Sequence, residues 1–132
     1  YKVGYYFEDI EMLPRLFLAN PTVRYVNYPF YNYVIREDSI MTSSVTQEKI
    51  NMTIDIYSEW MKCFLAVKDE KLQTYLYGTL VRYYVTTARK MHIIGWKIAN
   101  CDFKFAWKYA LNWKEKLKIC AFNYLPSLYT KL

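Results

Sequence analysis

The residues best suited to chemistry in this sequence are two carboxylates near its beginning. Glu8 and Asp9 stand side by side after three aromatic residues, at the start of a stretch whose composition predicts a helix. The first turn of a helix offers free backbone N–H groups to a carboxylate, and the helix dipole favours its charge. An ionised carboxylate held there can take a proton from a hydroxyl group as a general base. The alternatives are a helix N-cap for Asp9 and an ordinary first-turn acid for Glu8.

The elements that position these carboxylates follow from the spacing of apolar and turn residues. A short helix is predicted over 8–20, with a kink or a late start at Pro14. The segments 22–28 and 30–35 are rich in Val, Ile, Tyr and Phe and predict two short strands, parted or bulged at Pro29. No other part of the sequence carries a β signal.

Helices are predicted for the rest of the chain. Apolar residues recur at helical intervals over 45–67, and Ser44 and Gln47 have the spacing of a capping box. Asp69 and Asp102 can cap two further helices. The predicted fold class is therefore mainly α, with one short β-hairpin or strand pair.

The order of these motifs resembles a known family. An aromatic residue followed by Glu8-Asp9, a helix, two strands, Tyr31-x-Tyr33, and Arg36-x-x-Ser39 followed by Ile resembles the family-2 inverting glycosyltransferases of the GT-A fold. Bacterial enzymes of surface polysaccharide synthesis are especially similar. The resemblance covers about the first 45 residues in motif terms.

This resemblance implies a fold, a domain organisation and an activity. The chain would be the C-terminal portion of an α/β GT-A glycosyltransferase. Residues 1–44 would form the acceptor-side end of the catalytic domain, and residues 45–132 a helical tail. Asp9 would be the general base that takes the proton from the acceptor hydroxyl, while Glu8 would orient the acceptor or the base. Substrate-binding roles are implied for Arg36, Ser39, Tyr31 and Tyr33.

Each of the four substrate-binding assignments has a structural alternative. Arg36 could meet the diphosphate leaving group through paired N–H donors, or pair with a neighbouring acid at the surface. Ser39 could equally be a turn residue. Tyr31 and Tyr33 fall on one face of their strand and could stack on a sugar ring or pack under the first helix.

A complete enzyme of this family also has an N-terminal nucleotide-binding half with an Asp-x-Asp motif, and this sequence contains neither. The resemblance therefore implies that this chain alone is inactive and holds no metal or cofactor. The complete enzyme would use a nucleotide-sugar donor, a divalent metal such as Mg or Mn, and a sugar or lipid-linked acceptor. Separation from the missing half would expose apolar surface, from which we expect self-association of the chain.

Charge is concentrated in the second part of the sequence. The formal net charge is +6, and from Arg82 onward there are 10 basic and 2 acidic residues, interleaved with Trp and Tyr. This mixture suits an anionic membrane surface, or an alternative function as a basic aromatic binding module for nucleic acid or membrane. A solvated lysine face is the simpler alternative. Because the nucleic-acid hypothesis leaves the Glu8-Asp9 motif set unexplained, we expect no nucleic-acid partner.

The compartment is predicted from the cysteines and from the apolar runs. Three cysteines without CxxC spacing argue against a disulfide framework and against a zinc site, which favours the cytoplasm. Every apolar run is shorter than the roughly 20 residues that a membrane-spanning helix needs. The predicted location is cytoplasmic, with the inner face of the membrane as a further possibility.

Overall fold

Six α-helices form the part of the chain that the computed structural model describes, which is residues 6–20, 22–29, 32, 34 and 44–131. The helices are α1 (Glu8–Ala19), α2 (Gln47–Leu65), α3 (Glu70–Lys90), α4 (Phe103–Tyr109), α5 (Trp113–Tyr124) and α6 (Pro126–Tyr129). None of these helices is both long enough and apolar enough to cross a membrane.

The prediction of an α/β GT-A fold with a strand pair is wrong for this structure. The described residues within 22–28 and 30–35 form no strand, and no sheet is present anywhere in the described ranges. Their side chains are exposed, as the 87% exposure of Tyr25 and the 61% exposure of Val26 illustrate. A strand is stabilised by hydrogen bonds and side-chain contacts with a neighbouring strand. Among the described residues no segment supplies such a neighbour.

Helix α3 lies at the centre of the helical assembly and contacts α2, α4 and α5. Its buried residues recur every three or four positions, which places them along the length of the helix on its packed sides. Those with no more than 1% exposure are Leu80, Val81, Tyr84, Val85 and Ala88. Apolar burial around α3 is therefore the main source of stability.

The helix starts agree in part with the capping predictions. Asp69 and Asp102 cap α3 and α4, each accepting a hydrogen bond of 2.8 Å from a backbone N–H three residues on. Helix α2 is capped by Thr46 rather than Ser44. Asn112 caps α5 and so divides what the sequence predicts as a single last helix.

Helix α1 is attached to α2 by a buried polar contact as well as by apolar packing. The indole Nε1 of Trp60 donates a hydrogen bond of 3.1 Å to the carbonyl oxygen of Ile10. Glu11 of α1 is also buried, and its carboxylate pairs with the guanidinium group of Arg15 at 2.6 Å. The helix contains Pro14 and ends at Ala19, with Asn20 as its C-cap at the stop that the sequence predicts.

Candidate functional site

The Glu8-Asp9 pair lies in the first turn of α1, and both side chains are exposed. The N-cap position belongs to Phe7, whose φ of 62° is left-handed, so the N-cap alternative for Asp9 is wrong. Asp9 makes no side-chain hydrogen bond or ion pair with another described residue. Its carboxylate is therefore open to an approaching group.

Asp9 shares the outward face of α1 with exposed apolar residues. Leu13 and Leu16 follow it at the i+4 and i+7 positions, and Phe17 lies beside them. Their exposures are 47%, 49% and 46%. The opposite side of the helix packs against α2. Exposed apolar residues that lie together on one helix face are candidates for an interaction surface, and Asp9 stands at the N-terminal end of this face.

A pocket of about 270 Å³ adjoins the start of α1. Phe7 and Ile10, which flank Glu8 and Asp9 in the chain, form part of its wall, and the rest comes from the segment before α2 and from α2, α3 and the residue after α3. The pocket is mostly apolar, with a few hydroxyl groups and two lysines. Its full lining is Phe7, Ile10, Val45, Lys49, Thr53, Ile56, Tyr57, Tyr83, Thr86, Thr87, Lys90 and Met91.

Lys49 is an unusual member of the wall because it is only 5% exposed. Its ammonium group donates a hydrogen bond of 3.0 Å to the carbonyl oxygen of Ser44 and lies 5.3 Å from the centre of the Tyr6 ring. A buried ammonium group is costly unless such partners compensate it. Lys90 is exposed, so the pocket has one buried and one solvated cation.

Two hydroxyl groups in the pocket wall are hydrogen-bonded to each other. The Tyr57 hydroxyl and the Thr87 Oγ1 are 2.8 Å apart. Burial raises the pKa of Tyr57, although the Thr87 hydrogen bond acts in the opposite direction. The phenol therefore stays neutral at physiological pH and can act as a donor or an acceptor.

The chemistry open to this site is binding and proton abstraction. Aromatic rings with a few fixed hydroxyl groups are typical of small-molecule pockets, and they suit the apolar face of a sugar ring. The volume is nearly twice that of a cavity of about 150 Å³ that admits benzene. No group of three or more His, Cys, Asp or Glu side chains lies together within the described ranges.

The predicted site residues fall into two groups. Glu8 and Asp9 lie together at the start of α1. The other four lie outside the residues that the structure describes: Tyr31, Tyr33, Arg36 and Ser39.

The pocket itself was not predicted, because three helices distant in sequence form it. One signal was available. Lys49 shares a helical stripe with Thr53 and Ile56, at i, i+4 and i+7, and all three are buried. A lysine on the core stripe of a predicted helix indicates a cation held inside the fold. No comparable signal marks Tyr83 or Thr86.

Comparison with known proteins gives no match for this chain, either to a protein-family model, to a curated protein or to a solved structure.

Proposed function

We propose that this chain supplies the acceptor side of a nucleotide-sugar-dependent, inverting glycosyltransferase that acts in cell-surface polysaccharide synthesis, with Asp9 as the general base. The acceptor is a sugar or a lipid-linked sugar, and the reaction takes place on the cytoplasmic side of the membrane. The motif order at Glu8-Asp9, Tyr31-x-Tyr33 and Arg36-x-x-Ser39 motivates this assignment.

One observation carries the proposal. Asp9 is an exposed carboxylate in the first turn of α1, next in sequence to Ile10 of the pocket wall and at one end of the exposed apolar helix face. An acceptor seated against Phe7 and Tyr83 would lie beside the start of α1. A protein surface docked on Leu13 and Leu16 would approach the same point from the other side.

The chemistry requires this type of residue. In an inverting transfer the acceptor hydroxyl displaces the nucleotide diphosphate directly from the anomeric carbon. As the C–O bond forms, Asp9 takes the hydroxyl proton, and the electron pair of the breaking bond leaves with the diphosphate. Glu8, one residue earlier in the same turn, would orient the acceptor or the base.

Donor binding would belong to protein surface beyond the described residues. A divalent Mg or Mn ion is expected there to neutralise the diphosphate. Arg36 and Ser39 are proposed to contact the donor, and Tyr31 and Tyr33 to bind a sugar ring. The exposed apolar face of α1 supports a donor site on a separate protein surface. This face ends at the proposed catalytic carboxylate and would be covered in the assembled enzyme.

The test is sugar transfer by the complete polypeptide that carries this chain. Membranes containing it are incubated with labelled UDP-glucose, UDP-galactose, UDP-N-acetylglucosamine or GDP-mannose, and label in the lipid extract is measured. We expect Asp9→Asn to lower the rate by about 10²- to 10⁴-fold, the usual contribution of a general base. Donor binding, measured by equilibrium dialysis, should be unchanged.

Glu48→Gln is the matched control, since Glu48 is the second residue of α2 as Asp9 is of α1, and is also exposed. The control should retain full activity. Turnover by the Asp9→Asn enzyme near the unmodified rate would remove Asp9 as the base. Absence of transfer from every donor would count against the proposed reaction as a whole.

A further inference from the structure

Helix α5 carries apolar side chains on two opposite sides. Ile119 and Phe122 are buried, at 1% and 0% exposure, and face the core. Trp113, Leu117 and Tyr124 are 65%, 60% and 66% exposed. Their helical positions fall within a narrow arc of the outward side. We call these three residues the outer stripe of α5.

Lysines flank this stripe. Lys114 and Lys118 lie along one edge of it, and Lys116 lies along the other, where its ammonium group is 4.9 Å from the centre of the Trp107 ring. Trp107 is itself 41% exposed. Residues 103–131 contain six lysines and one acid. The surface therefore combines exposed Trp, Tyr and Leu side chains with a local excess of positive charge.

The acidic groups near this surface do not cancel its charge. Glu115 points inward, is 8% exposed and pairs with Lys118 at 3.2 Å. Asp102 accepts a hydrogen bond from the backbone N–H of Phe105 as the cap of α4. Lys104, Lys108 and Lys114 are exposed. Among the described residues of α4 and α5, the outward charge is positive.

From this arrangement we propose that the outer stripe of α5 docks on an anionic membrane surface. Trp and Tyr prefer the boundary between lipid headgroups and acyl chains, leucine gains by leaving water, and lysines meet the anionic headgroups. A second copy of the chain fits less well, since it would bring two sets of lysines together. Nucleic acid would leave Leu117 and the exposed Leu125 and Leu128 without stacking partners.

The inference is independent of sugar transfer, because none of its residues belongs to the Asp9 site. It also needs no spanning helix, since binding of this kind lies in the interfacial plane.

Flotation of the purified chain with vesicles tests the proposal. Vesicles of phosphatidylcholine containing about 30% phosphatidylserine are compared with pure phosphatidylcholine, at low and at high salt. We expect binding to the anionic vesicles at low salt, weakened by salt, and little binding to the neutral ones. Absence of binding to anionic vesicles at low salt would overturn the proposal.

Matched variants locate the surface. Leu117→Ser should lower the partition coefficient by about tenfold, while Leu65→Ser, at a leucine with 58% exposure on α2, should not change it. Likewise, Lys114→Glu should weaken binding by about tenfold or more, and Lys68→Glu, with the same change of net charge, should have a smaller effect. Equal losses within each pair would contradict the assigned surface.

A competition experiment distinguishes binding to lipid from binding to nucleic acid. A single-stranded oligonucleotide at equal phosphate concentration should not displace the chain from anionic vesicles. The nucleic-acid assignment would replace the membrane one if the oligonucleotide displaced the chain and bound it more tightly than the vesicles do. In that case Leu117→Ser should leave the affinity for the oligonucleotide unchanged.

Discussion

The hydroxyl group of Tyr84 holds the loop after α3 in place. It donates a hydrogen bond of 2.7 Å to the carbonyl oxygen of Gly95 and accepts one of 2.9 Å from the backbone N–H of Lys97. The ring stacks on Trp96 at 5.8 Å between centres and meets Phe122 edge-on. One side chain thus satisfies two backbone groups of a segment that has no helix of its own.

Tyr84→Phe should lower the free energy of unfolding by about 1–3 kcal/mol, because the carbonyl of Gly95 and the N–H of Lys97 lose their partner. Urea denaturation followed by circular dichroism measures this loss. Tyr124→Phe is the control, since Tyr124 is 66% exposed and should tolerate the change. Equal stability of all three proteins would show that the two hydrogen bonds contribute nothing.

The same residue predicts a pH dependence. Burial raises the pKa of Tyr84 from its ordinary value of 10.0 to about 12. The folded state therefore holds the phenolic proton more tightly than the unfolded state does. The stabilisation is complete below pH 10 and is lost as the pH rises towards 12. The stability difference between the unmodified protein and Tyr84→Phe should shrink over this interval; a constant difference would contradict the raised pKa.

At the scale of elements, α3 closely approaches the end of α4 and the residues that follow it. Gly78 is buried in α3, and a Cβ atom placed there would lie 2.6 Å from the carbonyl oxygen of Tyr109 and would clash with Leu111. Because one of these contacts is with backbone, the neighbouring segment cannot relieve it by a change of rotamer.

Gly78→Ala should therefore destabilise the protein by about 1–3 kcal/mol, although alanine is the better helix former by about 1 kcal/mol. The change in melting temperature, measured by thermal unfolding, shows which of these two effects is larger. Thr74→Ala, one turn earlier at an exposed position of α3, should be neutral or stabilising. An increase in melting temperature for Gly78→Ala would mean that the two segments are not in close contact.

The helix starts could be predicted from local sequence, whereas the strands could not. The capping residues Asp69 and Asp102 predict the starts of α3 and α4, because a cap bonds to a backbone group only three residues away. Ser44 failed as a cap because Thr46, two residues later, offers the same chemistry. The predicted strands failed for a different reason: strand formation depends on a distant partner rather than on the segment itself.

At the scale of the whole molecule, the exposed face of α1 predicts association. Leu16 and Phe17 are each nearly half exposed, and exposed apolar side chains on one face favour association with another apolar surface. The double variant Leu16→Lys/Phe17→Lys should reduce self-association of the chain, measured as mass against concentration by light scattering. Leu65→Lys, at an exposed leucine of α2, should associate as the unmodified chain does. A chain that is monomeric at all concentrations would contradict this prediction.

The sequence by itself determined the helical character of 45–131 and the position of Glu8 and Asp9 in the first turn of a helix. Both depend on interactions between residues no more than about four positions apart. Only the tertiary structure decided that 22–29 forms no strand, that Lys49 is buried, and that Phe7 and Ile10 line a pocket with residues of α2 and α3. These features depend on which distant segments meet, and long-range packing is not encoded in any local pattern.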